Sequence, residues 1–232
     1  MQITNNRSKA RPEGLAERIY LQLKDDIFDF HLLPGDRFSE NEIAVRMDVS
    51  RTPVRQALFW LEREGYVEVH FRSGWQVRPF DFAYFEELYD LRIVLECEAV
   101  KRLCARPMGE VPGQLAALTR FWIDEPRLEE GKTVSVHDEQ FHMALVEAAG
   151  NGEMARIHRD LTEKIRIIRR LDFTQESRVE ATYNEHAAIL RAILQHRTEE
   201  AQTRLSHHIA VSKAEVRKIT LHMLHQARLR QP

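Results

Sequence analysis

Turn-forming residues are scarce in this 232-residue chain, which has only nine glycines and eight prolines. All-β architectures need frequent turns, so the scarcity favours a mainly helical protein. Cysteine is rarer still. Cys97 and Cys104 are the whole complement, and their spacing fits neither a disulfide framework nor a CxxC zinc or redox motif, so both read as packing residues. No run approaches the roughly 18 consecutive apolar residues that a membrane-spanning helix needs, which excludes membrane insertion. The N-terminal MQITNNRSKARPEG is polar and basic without an apolar core, so export is not expected and the cytoplasm is the expected location. An excess of one charge is also missing: net charge is −2, with 34 Lys+Arg against 36 Asp+Glu. Bulk charge therefore gives no argument for nucleic-acid binding, and any such argument must come from local pattern.

What is present is an ordinary soluble balance, 43% hydrophobic and 30% charged, at a length that suits two domains. Residues 1–13 read as a flexible arm, 14–79 as one domain and 80–232 as another. In the first, Leu15, Ile19, Leu23 and Ile27 form one helical stripe that ends before the turn at Pro34-Gly35-Asp36. Ser39 and Glu42 have capping-box spacing ahead of a short second helix. Ser50 is placed to cap a third helix, with Val49 and Val54 as a staple, Pro53 tolerated in the first turn, and Val54, Ala57, Leu58 and Leu61 as the buried stripe. After Gly65, the runs 66–71 and 75–77 flank Arg72-Ser73-Gly74 and read as a β-hairpin. Three helices and a hairpin make a winged helix-turn-helix. Beyond Pro79 the pattern is helical throughout, with helices expected near 82–105, 111–122, 134–149, 152–170, 176–196 and 198–225, which pack most simply as an all-α bundle.

The third helix leaves Arg51, Thr52, Arg55, Gln56 and Phe59 off its apolar stripe, and residues 49–61 hold two arginines and no acid. Arginine can pair in a fork with guanine O6 and N7, while the hydroxyls of Ser50 and Thr52 and the helix N-terminus suit phosphate oxygens. Arg72 and Ser73 would sit at the wing tip. The same residues would also suit an ordinary solvated helix, and residues 1–80 balance 12 Lys+Arg against 12 Asp+Glu. The stretch PGDRFSENEIAVRMDVSRTPVRQALFWLEREGYVEV, residues 34–69, resembles the GntR family of bacterial transcription regulators, whose pattern runs PG, L-x-E-x-x-L-A, S-R-x-P-V-R-x-A-L, L-x-x-x-G. That resemblance implies that Arg51 and Arg55, with Arg46 and Thr52 nearby, occupy DNA-contacting positions and that Gly74 lies at the turn of the wing. Phe38 stands where the family usually has Leu, and Trp75 follows the wing glycine where smaller or other apolar residues are common.

Nine of the eleven histidines lie between 137 and 225. Asp138 and His142 fall within the stripe Val134, Phe141, Leu145, Ala149, and their i, i+4 spacing projects both from one side of a helix. His186 falls in the stripe Tyr183, Ala187, Leu190, Leu194, and His208 in the stripe Ala201, Leu205, Ser212. Each such histidine alone would suit a hydrogen-bonded core position. Together, a buried carboxylate and three imidazoles need one another, a cation or a pocket, since each unsatisfied group costs about 1–3 kcal/mol. His207 is the rival to His208, about a hundred degrees round the helix. His137, His158, His196, His222 and His225 read as solvent-facing.

Residues 81–210 resemble the FCD ligand-binding domain that follows the winged domain in one branch of the GntR family. The resemblance is carried by Arg92-x-x-Leu95-Glu96, Asp138-x-x-x-His142, the pair Gly150-Asn151, and His186 with His208. It implies that Asp138, His142, His186 and His208 hold a divalent metal, zinc or nickel first, iron or manganese as alternatives, and that a small organic acid completes the shell. It also places a ligand-binding arginine at Arg92, which interrupts the stripe Phe85, Leu88, Tyr89, Leu95, Ala99. Asn151 could face the pocket or cap the next helix. The reading implied is a homodimeric, cytoplasmic repressor that binds palindromic double-stranded operator DNA under effector control. A metal-dependent enzyme and a metal sensor are the alternatives. The stripes offer no further Glu or His as a general base, so no enzyme is expected.

Overall fold

The computed structural model describes residues 14–70, 74–173, 176–216 and 218. The expected arm at 1–13, Arg72, Ser73, His222 and His225 lie outside the described residues. The chain divides into two units, residues 1–80 and 81–232.

In the first unit α1 (Leu15–Phe28), α2 (Glu40–Arg46) and α3 (Arg51–Glu64) form where the apolar stripes and caps put them. Ser39 closes α2 with a full capping box: its Oγ accepts from Glu42 N at 3.2 Å, and Glu42 Oε2 accepts from Ser39 N at 2.6 Å. Ser50 occupies the N-cap of α3, but its hydroxyl makes no capping bond, a correction to the expected cap. Val54, Ala57, Leu58 and Leu61 are fully buried, each large side chain contributing about 1.5–3 kcal/mol. Gly65 ends α3 in the left-handed conformation, φ 86°, that lacks steric cost for glycine.

The hairpin strands are β2 (Val67–His70) and β3 (Gly74–Val77), joined by a strand not expected from the sequence, β1 (Arg37–Phe38), in the antiparallel order β1-β3-β2. The two residues that depart from the family pattern are cross-strand partners: Phe38 pairs with Trp75 and both are buried. A larger ring on each strand fills the same layer. Gly74 has φ 88°, and a Cβ there would lie 2.6 Å from the Phe38 carbonyl oxygen, so the close passage of β1 demands glycine.

The regular elements of the second unit among its described residues are all helical: α4 (Phe82–Cys104), α5 (Gly113–Thr119), α6 (Gly131–Ala148), α7 (Gly152–Asp172), α8 (Glu176–Leu194) and α9 (Thr198–Val216). The helix expected near 111–122 is instead α5 followed by a π-helical turn, Arg120–Asp124, which brings Trp122 into the core. The expected extension of α9 to 225 lies outside the described residues. Helix α4 packs most closely on α9, and α6 on α7, so that α4, α6, α8 and α9 surround one interior.

Candidate metal centre and nucleic-acid interface

On α3, Arg51, Thr52, Arg55 and Phe59 are all exposed, because the opposite face carries the core stripe. The two arginines are not loose. Glu40, the first residue of α2, accepts from Arg55 Nε and Nη2, both at 2.8 Å, and from Arg51 Nη2 at 3.2 Å. Arg46 donates to Asp26 of α1 at 2.6 Å and ties α2 to α1. Ser50 is exposed at the start of α3, and Phe59 sets its ring edge-on to Trp75. The face thus combines a helix N-terminus, two hydroxyls and two oriented guanidinium groups, a set suited to phosphates and guanine edges.

In the second unit, Asp138, His142, His186 and His208 face inward, as their stripes predicted, and the packing of the helices brings them together. One ligand atom from each lies within 4.8 Å of all the others, and the four residues are buried. The Nε2 atoms of His142 and His186 lie 3.2 and 3.3 Å from Nε2 of His208. Those nitrogens carry lone pairs if Nδ1 holds the proton, and a carboxylate beside Nδ1 favours that tautomer at His142 and His208, although Arg178 Nη2 also lies 3.3 Å from His208 Nδ1. Nδ1 of His186 has no hydrogen-bond partner among the described residues. His142 Nδ1 donates to Glu96 Oε2 at 2.6 Å, and His208 Nδ1 donates to Glu185 Oε2 at 2.5 Å. His186 is held instead by a ring stack on Phe141 with centroids 3.7 Å apart, and by the edge of Trp122 at 4.3 Å.

Asp138 divides its two oxygens. Oδ2 accepts from Arg169 at 2.5 Å, whereas Oδ1 has no hydrogen-bond partner and faces Nε2 of His186 at 3.5 Å and of His142 at 3.7 Å. One proton could reconcile only one pair of facing imidazoles. A divalent cation satisfies three lone pairs and the orphaned carboxylate oxygen together, so the donor set fits a metal with nitrogen and oxygen ligands. Burial, followed by the neighbouring His208, pushes His186 well below the ordinary histidine value; burial and His142 do the same to His208. Burial opposes charge on Asp138 and Glu96, but Arg169 at the one, and His142 with Arg92 at the other, outweigh it and hold both carboxyls well below the usual range. Neutral imidazoles and ionised carboxylates are the states that bind metal.

Around this cluster stand two further arginines. Arg169 of α7 and Arg178 of α8 both donate to the Ser212 hydroxyl, at 2.6 and 3.2 Å, and Arg178 also reaches Glu185 at 3.1 Å. Arg178 Nε and Thr182 Oγ1 are buried without hydrogen-bond partners among the described residues. Arg92 donates to Glu96 at 2.7 Å with both side chains buried, and Asn151 caps α7 by accepting from Glu153 N and Met154 N. The structure therefore engages both sequence-assigned effector residues in local contacts.

Comparison with known proteins identifies the two units. Residues 15–77 match the description "Bacterial regulatory proteins, gntR family", and residues 87–211 match the FCD domain. The chain belongs to the GntR family. Among its relatives, the Nta operon transcriptional regulator of Aminobacter aminovorans is 32% identical over 70% of this chain and 77% of its own. The HTH-type transcriptional repressor RspR of Escherichia coli is 24% identical over 88% of this chain and 89% of its own. A GntR transcriptional regulator from Rhodococcus sp. RHA1 shares the fold, with a TM-score of 0.69 at 23% identity over 88% of this chain and 98% of that one. The metal-free FCD domain of TM0439 has a TM-score of 0.51 at 20% identity, over 60% of this chain and 95% of that one. This GntR-family protein is thus a DNA-binding transcription regulator with an FCD domain, not an enzyme, and among its described residues no helix is long and apolar enough to cross a membrane.

Side chains outside the helical stripes also enter this interior. Glu96 is fully buried and accepts from Arg92, His142 and His158, the last at 2.9 Å. His158 is accordingly buried rather than solvent-facing, a correction with a plain cause: Glu96 supplies its polar partner in the interior. His137 is half-buried and stacked on Phe121 at 4.0 Å, and His196 is half-buried with Nδ1 donating to the Cys104 carbonyl at 2.8 Å, so these too depart from the expectation. His207 is exposed, leaving His208 in the cluster. Contrary to the stripe reading, further acids do touch the cluster: Glu96 and Glu185 orient imidazoles from outside, as carboxylates behind metal-bound histidines do.

Proposed function

We propose that this GntR-family regulator is a repressor whose affinity for a palindromic operator is set by a small organic acid bound beside a divalent metal. Asp138, His142, His186 and His208 would hold the ion, with zinc or nickel favoured by an imidazole-rich set and iron or manganese also compatible. The bound ion supplies a Lewis-acidic position for an effector oxygen. The supporting observation is the meeting of three imidazole Nε2 atoms with a carboxylate oxygen that has no other partner.

The effector's chemistry follows from the surrounding charges. Arg92, Arg169 and Arg178 are offset by Glu96, Asp138 and Glu185, so the cluster is balanced before an ion enters. A divalent ion leaves two positive charges in a low-dielectric interior, and a dicarboxylate restores neutrality where a monocarboxylate does not. Arg178 and Thr182, with unused donors, are the side chains suited to grip it. Arg92, assigned to the effector from sequence, serves Glu96 in this reading, and Asn151 serves its cap.

An effector shifts operator affinity only as far as its own affinity differs between the DNA-bound and free states, typically about 1–3 kcal/mol. A homodimer supplies the two recognition helices that a palindrome needs. The decisive experiment combines elemental analysis with thermal shift. Protein purified without chelator is expected to carry about one divalent ion per chain, lost in His186→Ala, and to be stabilised more by malonate and succinate than by acetate and propionate. No ion taken up would overturn the metal reading; equal response to mono- and dicarboxylates would overturn the charge argument.

A further inference from the structure

The hydrogen bonds that Arg51 and Arg55 make to Glu40 have a direct bearing on how this regulator reads DNA. Both arginines lie on the solvent face of α3, one turn apart, with side chains 60% and 54% exposed, whereas the Glu40 side chain is 14% exposed between the two helices. Long exposed arginines ordinarily sample many rotamers and lose that freedom when they bind. Here Arg55 lays its Nε–Nη2 edge against the Glu40 carboxylate. That contact leaves the Nη1–Nη2 fork directed away from Glu40, and such a fork matches O6 and N7 of guanine.

Glu40 is itself well placed to hold. It opens α2, where the helix dipole favours a negative charge, next to the capping box of Ser39 and Glu42. The bonds from Arg55 and Arg51 keep its carboxyl below the usual range, so it is charged at neutral pH. A carboxylate on a DNA-facing surface has a cost as well as a use, because it repels phosphates and occupies guanidinium donors that could otherwise meet them.

We propose that Glu40 is the positioning residue of the DNA-reading face: it orients Arg55, with Arg51, toward base edges and, by its charge, weakens binding to DNA of arbitrary sequence. On the selected site the two effects oppose each other; on other DNA only the charge acts. Orientation strengthens the selected site, and charge weakens every site. Discrimination therefore rises through orientation, while the charge lowers background binding.

The test uses the full-length protein and a duplex obtained by selection with the wild type from a library with a randomised core, beside a shuffled duplex of the same composition. Fluorescence anisotropy across a salt series gives affinity and salt slope for each. Glu40→Gln is expected to bind the shuffled duplex several-fold more tightly, with a steeper salt dependence, and the selected duplex several-fold less tightly. The ratio of the two affinities should fall about tenfold or more, and reselection with the variant should show relaxed preference at a base pair that wild type specifies. Glu40→Asp separates charge from reach: it keeps the charge but withdraws the carboxylate by one methylene. It is expected to retain the wild-type weakness on shuffled DNA while losing affinity for the selected duplex, and thermal melting checks that both variants fold. Equal tightening of Glu40→Gln on both duplexes would reduce Glu40 to a charge shield and overturn the proposal. Equal weakening on both, or no change on either, would overturn it as well.

Discussion

His142 Nδ1 and Glu96 Oε2 lie 2.6 Å apart, and neither side chain is accessible to solvent. Glu96 thereby directs the other nitrogen of His142 toward His186, His208 and Asp138. Replacing Glu96 by Gln keeps the volume but removes the charge that selects the tautomer. Metal affinity is expected to fall about 10–100-fold, as for other carboxylates behind metal-bound histidines. Competition with a chromophoric chelator measures it, and an unchanged affinity would show that Glu96 serves packing alone.

Arg92 and Arg178 are expected to separate cleanly. Arg92→Ala leaves Glu96 without its guanidinium in a fully buried setting, so it should cost about 3–5 kcal/mol of stability in urea unfolding. Arg178→Gln should leave metal content intact and weaken stabilisation by succinate. If instead Arg92→Ala were stable and blind to succinate, the effector would have to be placed at Arg92.

Stability of the metal-free protein should fall as the solution is acidified, beginning near pH 6.5. His186 and His208 sit below the ordinary value of 6.5 in the fold, so between the folded and unfolded values the unfolded chain binds the proton and is favoured. Their contribution is complete above pH 6.5 and is lost on the way down. Glu96 and Asp138, also lowered, add a second loss below about 4.5 and 3.8, their ordinary values. Added metal should steepen the first decline, since protons and cation compete for the same lone pairs. Denaturant midpoints from pH 8 to pH 3 test both losses; a flat profile would refute the prediction.

Gly131 opens α6 against a neighbouring backbone: a Cβ there would stand 2.0 Å from the Phe173 carbonyl oxygen. Gly131→Ala should therefore destabilise by about 1–3 kcal/mol through forced displacement. Gly113→Ala, at the start of α5 with open space around it, should change stability by no more than about 0.5 kcal/mol. Thermal melts of the two variants give the contrast, and similar melting temperatures would contradict it.

Local spacing was enough to read most of the helices, the hairpin and the inward-facing Asp and His side chains, though not the short β1 or the π-helical turn at Arg120–Asp124. Three- and four-residue spacing identifies which side chains share a face of one helix, and this sufficed to place Asp138 with His142 and to assign His186 and His208 to buried stripes. Ser39 and Glu42 announced α2 for the same local reason: their reciprocal bonds span three residues. Which faces meet was settled by the packing of the helices alone. Glu96 lies 46 positions from His142 and 62 from His158, and Glu185 lies 23 from His208, separations on which helical periodicity is silent. Arg169 and Arg178 look like surface charges along their own helices, yet both are buried because Asp138, Glu185 and Ser212 await them on others. Glu40 reaches Arg55 across 15 residues and a helix boundary. Whether a charge can be buried depends on the counter-charge brought to it from another element, and that meeting exists only once the helices have packed.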